Sequence, residues 1–146
     1  MVQSLEKLLD DRLRELMNAG YGEVQAGHFE NAEKKYLQAW DIFPEPKFDW
    51  DSSQITLYGI AEFYLRWRSF DLALHWANLV FKTEPLPGDG SPYLTLGIIY
   101  FESGDLDSAF KNFQRAFELA KRRVFQGVEK KYLEFYLSRA EKRSRR

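Results

Sequence analysis

The 146-residue chain contains no cysteine and only two histidines. The first absence excludes disulfides, thiolate metal sites and cysteine nucleophiles together, and it fits a reducing compartment. The second leaves little room for imidazole chemistry. His28 falls in a turn and His75 on an outer helix position, and neither sits in metal-ligand spacing. No nucleophile is paired with a base. Asp49 and Asp51 are the nearest approach to an acid pair, and helix capping accounts for Asp51 better. Gly88, Gly90 and Gly104 make no phosphate-binding pattern. The expectation is a protein with no catalytic residues, no metal and no cofactor.

Long hydrophobic runs are also missing. Nothing approaches the roughly 18 apolar residues of a membrane span. Residues 1–7 carry no apolar stretch of signal-peptide length. A soluble, cytoplasmic protein with no membrane partner is therefore expected. The hydrophobic content of 45% and aromatic content of 16% are enough for a packed core.

A strong charge of one sign is absent overall, since the net charge is −1. The balance is uneven along the chain. Residues 121–146 hold ten Lys or Arg against three Glu, leaving residues 1–120 acidic. The basic end, Lys142-Arg143-Ser144-Arg145-Arg146, is of a type that meets phosphates. The acidic remainder would repel the same backbone, and no recognition motif accompanies the tail. Nucleic acid is therefore disfavoured as a partner, and a solvated terminal helix accounts for the tail.

What is present is a repeat. Leu16, Ala19, Gly20, Gly27, Ala32, Tyr36, Ala39 and Pro44 form one copy. Leu57, Ile60, Ala61, Tyr64, Ala73, Ala77, Val80 and Pro85 form a second. Tyr93, Leu96, Gly97, Tyr100, Gly104, Ala109, Phe113 and Ala116 form a third. Gly20, Ala61 and Gly97 stand where one helix must meet its partner closely, and Ala32, Ala73 and Ala109 stand on that partner. Tyr36 and Phe113 fill the wider gaps, with Ala77 as the odd member. Trp40, Phe81 and Phe117 recur at one position and read as core between copies.

Boundary residues place helices at about 3–26, 29–43, 52–67, 70–83, 92–103 and 106–122. Gly27 and Gly104 mark turns that need positive φ, and Arg68 replaces that glycine in the second copy. Ser69 and Asp105 are placed to cap helices, Asp51 with Gln54 to form a capping box, and Ser91-Pro92 to supply a cap and a first-turn proline. Pro44 and Pro85 end helices. Val128, Tyr132, Phe135 and Tyr136 keep helical spacing in a seventh helix near 128–143, with a basic opposite face.

This frame resembles the tetratricopeptide family, whose helix–turn–helix unit is about 34 residues long. The resemblance implies an all-α solenoid of three helix hairpins, about 3–44, 52–85 and 90–122, closed by the seventh helix as a cap, in one domain over 1–146. It also implies a concave face lined by the first helix of each hairpin. Carried over by the repeat frame, that face presents Met17, Tyr21 and Val24, then Tyr58, Glu62, Leu65 and Arg66, then Leu94, Ile98, Phe101 and Glu102. The capping helix folding across this surface, or self-association through it, would also account for its apolar character. Some relatives grip a chaperone's terminal carboxylate with Lys and Asn. Met17 and Tyr21 stand at the first two such positions and offer neither a cation nor an amide to a carboxylate, which argues against that role.

The copies are unevenly spaced, and the excess lies in residues 45–51 and 86–90. Phe48 and Trp50, in the first loop, either fold back onto neighbouring helices or form an anchor for a partner. Phe43-Pro44-Glu45-Pro46-Lys47 running into Trp50-Asp51, with Tyr93-Leu94-Thr95-Leu96-Gly97 and Lys131-Tyr132-Leu133-Glu134-Phe135, resembles small bacterial tetratricopeptide proteins encoded beside polymorphic toxins. That resemblance implies an immunity protein that binds and blocks a toxin domain. Two alternatives stay open. One is a class II-type secretion chaperone holding an extended client in the groove. The other is a self-associating scaffold.

Overall fold

The computed structural model describes residues 2–145. They form seven α-helices and no strand: α1 (Lys7–Gln25), α2 (Phe29–Asp41), α3 (Ser53–Arg66), α4 (Phe70–Leu79), α5 (Ser91–Ser103), α6 (Leu106–Ala120) and α7 (Lys130–Ser144). Helices adjacent in the chain pack as pairs, α1 with α2, α3 with α4 and α5 with α6. Contacts divide the chain into two compact units, residues 1–83 and 84–146.

One turn is built three times. Gly27 N–H donates to Val24 O and His28 N–H to Glu23 O. Arg68 and Ser69 make the same pair of bonds to Leu65 and Tyr64, and Gly104 and Asp105 to Phe101 and Tyr100. This double bond closes the orphan carbonyls at a helix end and requires a left-handed residue at its centre. Gly27 (φ +81°) and Gly104 (φ +91°) supply it at no steric cost. Arg68 adopts the same region at φ +60°, so a non-glycine residue has kept the turn.

Each pair closes on a small residue. A Cβ on Gly20 would lie 2.9 Å from the Tyr36 ring, and one on Gly97 would lie 2.5 Å from the Phe113 ring. The middle pair has Ala61 and Ala77 instead, both buried. In all three pairs the two positions are 16 residues apart. Where the first helix lacks a side chain the second supplies a ring, and where the first carries a methyl the second has only a methyl. This explains the apparent exception at Ala77.

In the first unit, Tyr36 stacks on Phe63 at 4.8 Å and Phe29 on Trp67 at 5.8 Å. Trp40 meets the edge of Trp76 at 6.1 Å, which joins α2 to α4, whereas Phe81, the counterpart of Trp40 in the repeat, lies in the 3-10 turn at 80–83. In the second unit, Phe117 packs on Tyr136 of α7 at 5.1 Å. The core there joins Phe110, Phe113 and Ala116 to Phe125, Tyr132 and Tyr136.

Several boundaries differ from expectation. The first helix starts at Lys7 rather than residue 3. Gln3 instead exchanges backbone bonds with Asp49 O and Asp51 N–H, which keeps residues 2–6 extended beside the first loop. Asp51 does not cap α3. Its carboxylate accepts from Ser4 and Ser52 hydroxyls, and Gln54 donates to Thr83. Ser69 makes no side-chain cap bond, whereas Asp105 accepts from Ser108 N–H at 3.1 Å as expected. Gly90, not Ser91, precedes α5, and Asp89 accepts from Ser91 N–H at 2.9 Å. The fourth helix tightens into a 3-10 turn at 80–83, whereas the sixth breaks at Lys121 (φ +57°) before the 3-10 turn at 121–125.

Candidate functional site

In the first unit, α1 and α3 leave an open groove of about 460 Å³, lined by Leu13, Arg14, Met17, Asn18, Ile55 and Thr56 among others. Local rules explain its shape. Positions 10, 13, 14 and 17 share one face of α1 by i, i+3 and i+4 steps. Gly59 leaves room for the Met17 side chain, since a Cβ there would lie 2.7 Å from the Met17 methyl. The walls carry a charged pair, Arg14 Nε to Asp10 Oδ2 at 3.1 Å. Thr56 spends its hydroxyl on Ser52 O at 2.7 Å, so the floor is less polar than its composition implies.

Ile55 sits on this groove with 72% of its surface exposed. Tyr21, one turn beyond Met17 on α1, is 55% exposed. Among the other residues expected on this face, Tyr58 and Leu65 are half-buried, Glu62 and Arg66 exposed, and Val24 buried in the core. Burial first, and the Glu62 charge second, push the Tyr36 phenol above its ordinary value, while Arg66 pulls it down. The tyrosine hydroxyl under this face is therefore neutral, and Glu62 and Arg66 set the local field.

The groove runs further toward the start of α1 than the repeat frame implied. Leu13, Arg14, Asn18 and Ile55 were missed. One turn back from Met17 and Tyr58 lie Leu13, Arg14 and Ile55, whereas Asn18 follows Met17 directly and falls outside that step.

The second unit treats its share of the expected face differently. Leu94 is buried with Phe113 and Tyr132, and Ile98 packs against that cluster. Phe101 meets the edges of Tyr132 at 5.3 Å and Phe135 at 5.2 Å, both on α7. The Lys131 ammonium lies over the Phe101 ring and bonds Glu102 at 3.3 Å. Burial, aided by Glu102 and Glu129, pushes the Tyr132 phenol up to about 12. Here α7 covers the face of α5.

The loop aromatics turn inward. Trp50 donates its indole N–H to Pro44 O at 2.8 Å, and the Phe48 ring lies 5.5 Å from Trp40. Lys47 reaches Trp40 O, and the Ser53 hydroxyl donates to Lys47 O. These bonds hold the loop against α2 and α3, with both rings half-buried.

The histidines have local roles. His28 bonds Glu23 at 2.9 Å, and His75 packs edge-on to Trp76. Among the described residues, no three His, Asp or Glu side chains are grouped to hold a metal, and no helix is long and apolar enough to cross a membrane. The groove is therefore of mixed character, with Leu13, Met17 and Ile55 set among Asp10, Arg14, Asn18, Ser52 and Thr56. No family model matches the sequence.

Proposed function

We propose that the chain is a non-catalytic protein-binding module whose α1–α3 face takes a partner, in the architecture of a tetratricopeptide array. The open groove with Ile55 exposed above it carries this reading. Isolated exposed aliphatics are ordinary, but Ile55 sits on a concave groove that also holds Leu13 and Met17 among polar neighbours, the mixed lining of a contact surface. The most specific form of the proposal is immunity: the module binds a secreted toxin domain and occludes it. Residues 1–83 hold thirteen Asp or Glu against nine Lys or Arg, which favours encounter with a basic toxin.

A second role, chaperoning a secreted client in the same groove, is favoured by one observation. Phe48 and Trp50 are engaged within their own chain, which moves the expected contact from loop to groove.

The test is affinity capture from the native organism with wild type, Ile55→Glu and Trp50→Phe proteins, followed by mass spectrometry. A toxin-like partner recovered one-to-one, lost with Ile55→Glu and kept with Trp50→Phe, supports immunity through the groove. Rescue of growth on co-expression completes that case. A translocator-like client with the same variant pattern favours the chaperone role. A partner retained by Ile55→Glu overturns the groove assignment.

A further inference from the structure

A second concavity, in the other unit, has a different chemistry. It encloses about 580 Å³ between the start of α6 and the outer face of α7. Phe135, Ser138, Arg139, Lys142 and Arg143 line it from α7, and their spacing puts them on one helical face. Leu106 and Asp107 line it from α6. Leu106 is 43% exposed, so the apolar floor is open to solvent.

The cations are arranged rather than scattered. Arg139 donates to Leu106 O at 2.9 Å and to the Asp107 carboxylate, and its guanidinium lies over the Phe110 and Phe135 rings. Arg143 sits 4.3 Å over the Phe110 ring. These contacts fix both planar groups before any ligand arrives, which lowers the ordering cost of binding. Lys142 and Arg143 form no ion pair among the described residues. Among the described residues, Asp107 is the one acid on the lining, and it already shows how a carboxylate docks on Arg139.

We propose that this pocket binds an acidic peptide segment, seating an aliphatic side chain on the exposed Leu106 and its carboxylates on Lys142 and Arg143. The site shares no residue with the α1–α3 groove and does not depend on the function proposed for it. A peptide fits the lining better than a nucleic acid. Base stacking needs an open ring face, yet Phe135, the ring on the lining, packs against Phe101 and Phe113 and has the Arg139 guanidinium over it. The lining cations, Arg139, Lys142 and Arg143, also span only about one turn of a single helix, too short a row to follow a phosphate backbone.

Fluorescence anisotropy on the full chain tests this. The probes are a labelled ten-residue peptide alternating glutamate and leucine, its glutamine–leucine counterpart, and a labelled ten-nucleotide uridine strand. The expected result is saturable, salt-sensitive binding of the acidic peptide alone. Its Kd should rise about tenfold or more in Lys142→Glu/Arg143→Glu. Because Arg143 packs on Phe110, Lys142→Glu and Leu106→Glu serve as separate variants at exposed positions, and each should also weaken binding. No binding of the acidic peptide, or unchanged affinity in Lys142→Glu and Leu106→Glu, overturns the proposal. Tighter binding of the uridine strand than of the peptide overturns the assignment of ligand class.

Discussion

The Tyr36 ring lies against Gly20 so closely that a single methyl added there would come within 2.9 Å of it. Phe113 covers Gly97 more tightly still, at 2.5 Å. These two glycines sit inside helices, where glycine costs backbone entropy. The ring seated in the space left by the missing side chain offsets that cost.

Gly97→Ala should therefore lower stability by about 1–3 kcal/mol, the usual cost of overpacking a filled core. Gly22, on the same kind of helix, has nothing within 4 Å of its would-be Cβ. Gly22→Ala should raise stability by roughly 0.5–1 kcal/mol. Urea denaturation followed by circular dichroism checks both. A stabilising Gly97→Ala would contradict the packing described.

The turn at Gly104 gives a backbone test without a packing contribution, since nothing lies near its would-be Cβ. Gly104→Ala should cost about 1–2 kcal/mol from the left-handed conformation alone. The thermal midpoint should fall with the far-ultraviolet spectrum unchanged. No fall would mean that the turn relaxes to another geometry.

Trp50→Phe removes the indole donor to Pro44 O while keeping a ring. The loss should be about 1 kcal/mol, the net worth of one neutral hydrogen bond plus a carbonyl left short of a donor. Chemical denaturation measures it. Equal stability would show that the loop is held by Ser53 and Lys47 without the indole.

The tyrosines predict alkaline behaviour with a definite sign. Tyr132 is pushed up to about 12, and Tyr36 and Tyr136 are also raised, chiefly by burial. The unfolded chain ionises its phenols near pH 10, roughly the ordinary value. It therefore loses protons before the folded chain does. Stability is fully present below pH 10 or so and falls as pH rises through the Tyr132 midpoint. Absorbance titration at 295 nm should show a late-ionising fraction that moves to about pH 10 in denaturant. Tyr132→Phe should shrink that fraction.

At the acid end, the bond and charge of Arg139 hold the Asp107 carboxyl below the usual aspartate range, with help from Arg143 and Lys111. The folded chain thus keeps this group ionised at pH values where the unfolded chain takes up a proton. Its contribution is present above the ordinary aspartate value and is lost as pH falls through the depressed one. Nuclear magnetic resonance titration of Asp107 should place its midpoint below the ordinary value, and Arg139→Gln should move it back up.

What the sequence made legible was local. Helix positions follow from small residues recurring at fixed offsets, and the left-handed turns from Gly27 and Gly104. Long-range competition was not legible. Asp51 looks like a cap until Ser4, 47 residues away, takes its carboxylate. The first helix looks as if it starts at residue 3 until Gln3 pairs with the loop. In both cases a partner distant in sequence outbids the neighbour that a motif assumes. The candidate site divides along the same line. The face of α1 follows from helical spacing back to Arg14. The covering of Phe101 by α7 depends on how the last helix folds over, which spacing on α5 alone does not encode. The loop rings were legible as aromatic, but their inward orientation depends on Pro44 O and Trp40 as partners.

The trade of ring for methyl between paired helices also limits how such a chain can change. Passing from the Ala61–Ala77 arrangement to the glycine-and-ring arrangement takes two substitutions, and their order is not free. Adding the ring first places it against an existing methyl. Removing the methyl first leaves only a small vacancy that the ring then occupies. The accessible route opens space before filling it, and the reverse passage must discard the ring before regaining the methyl.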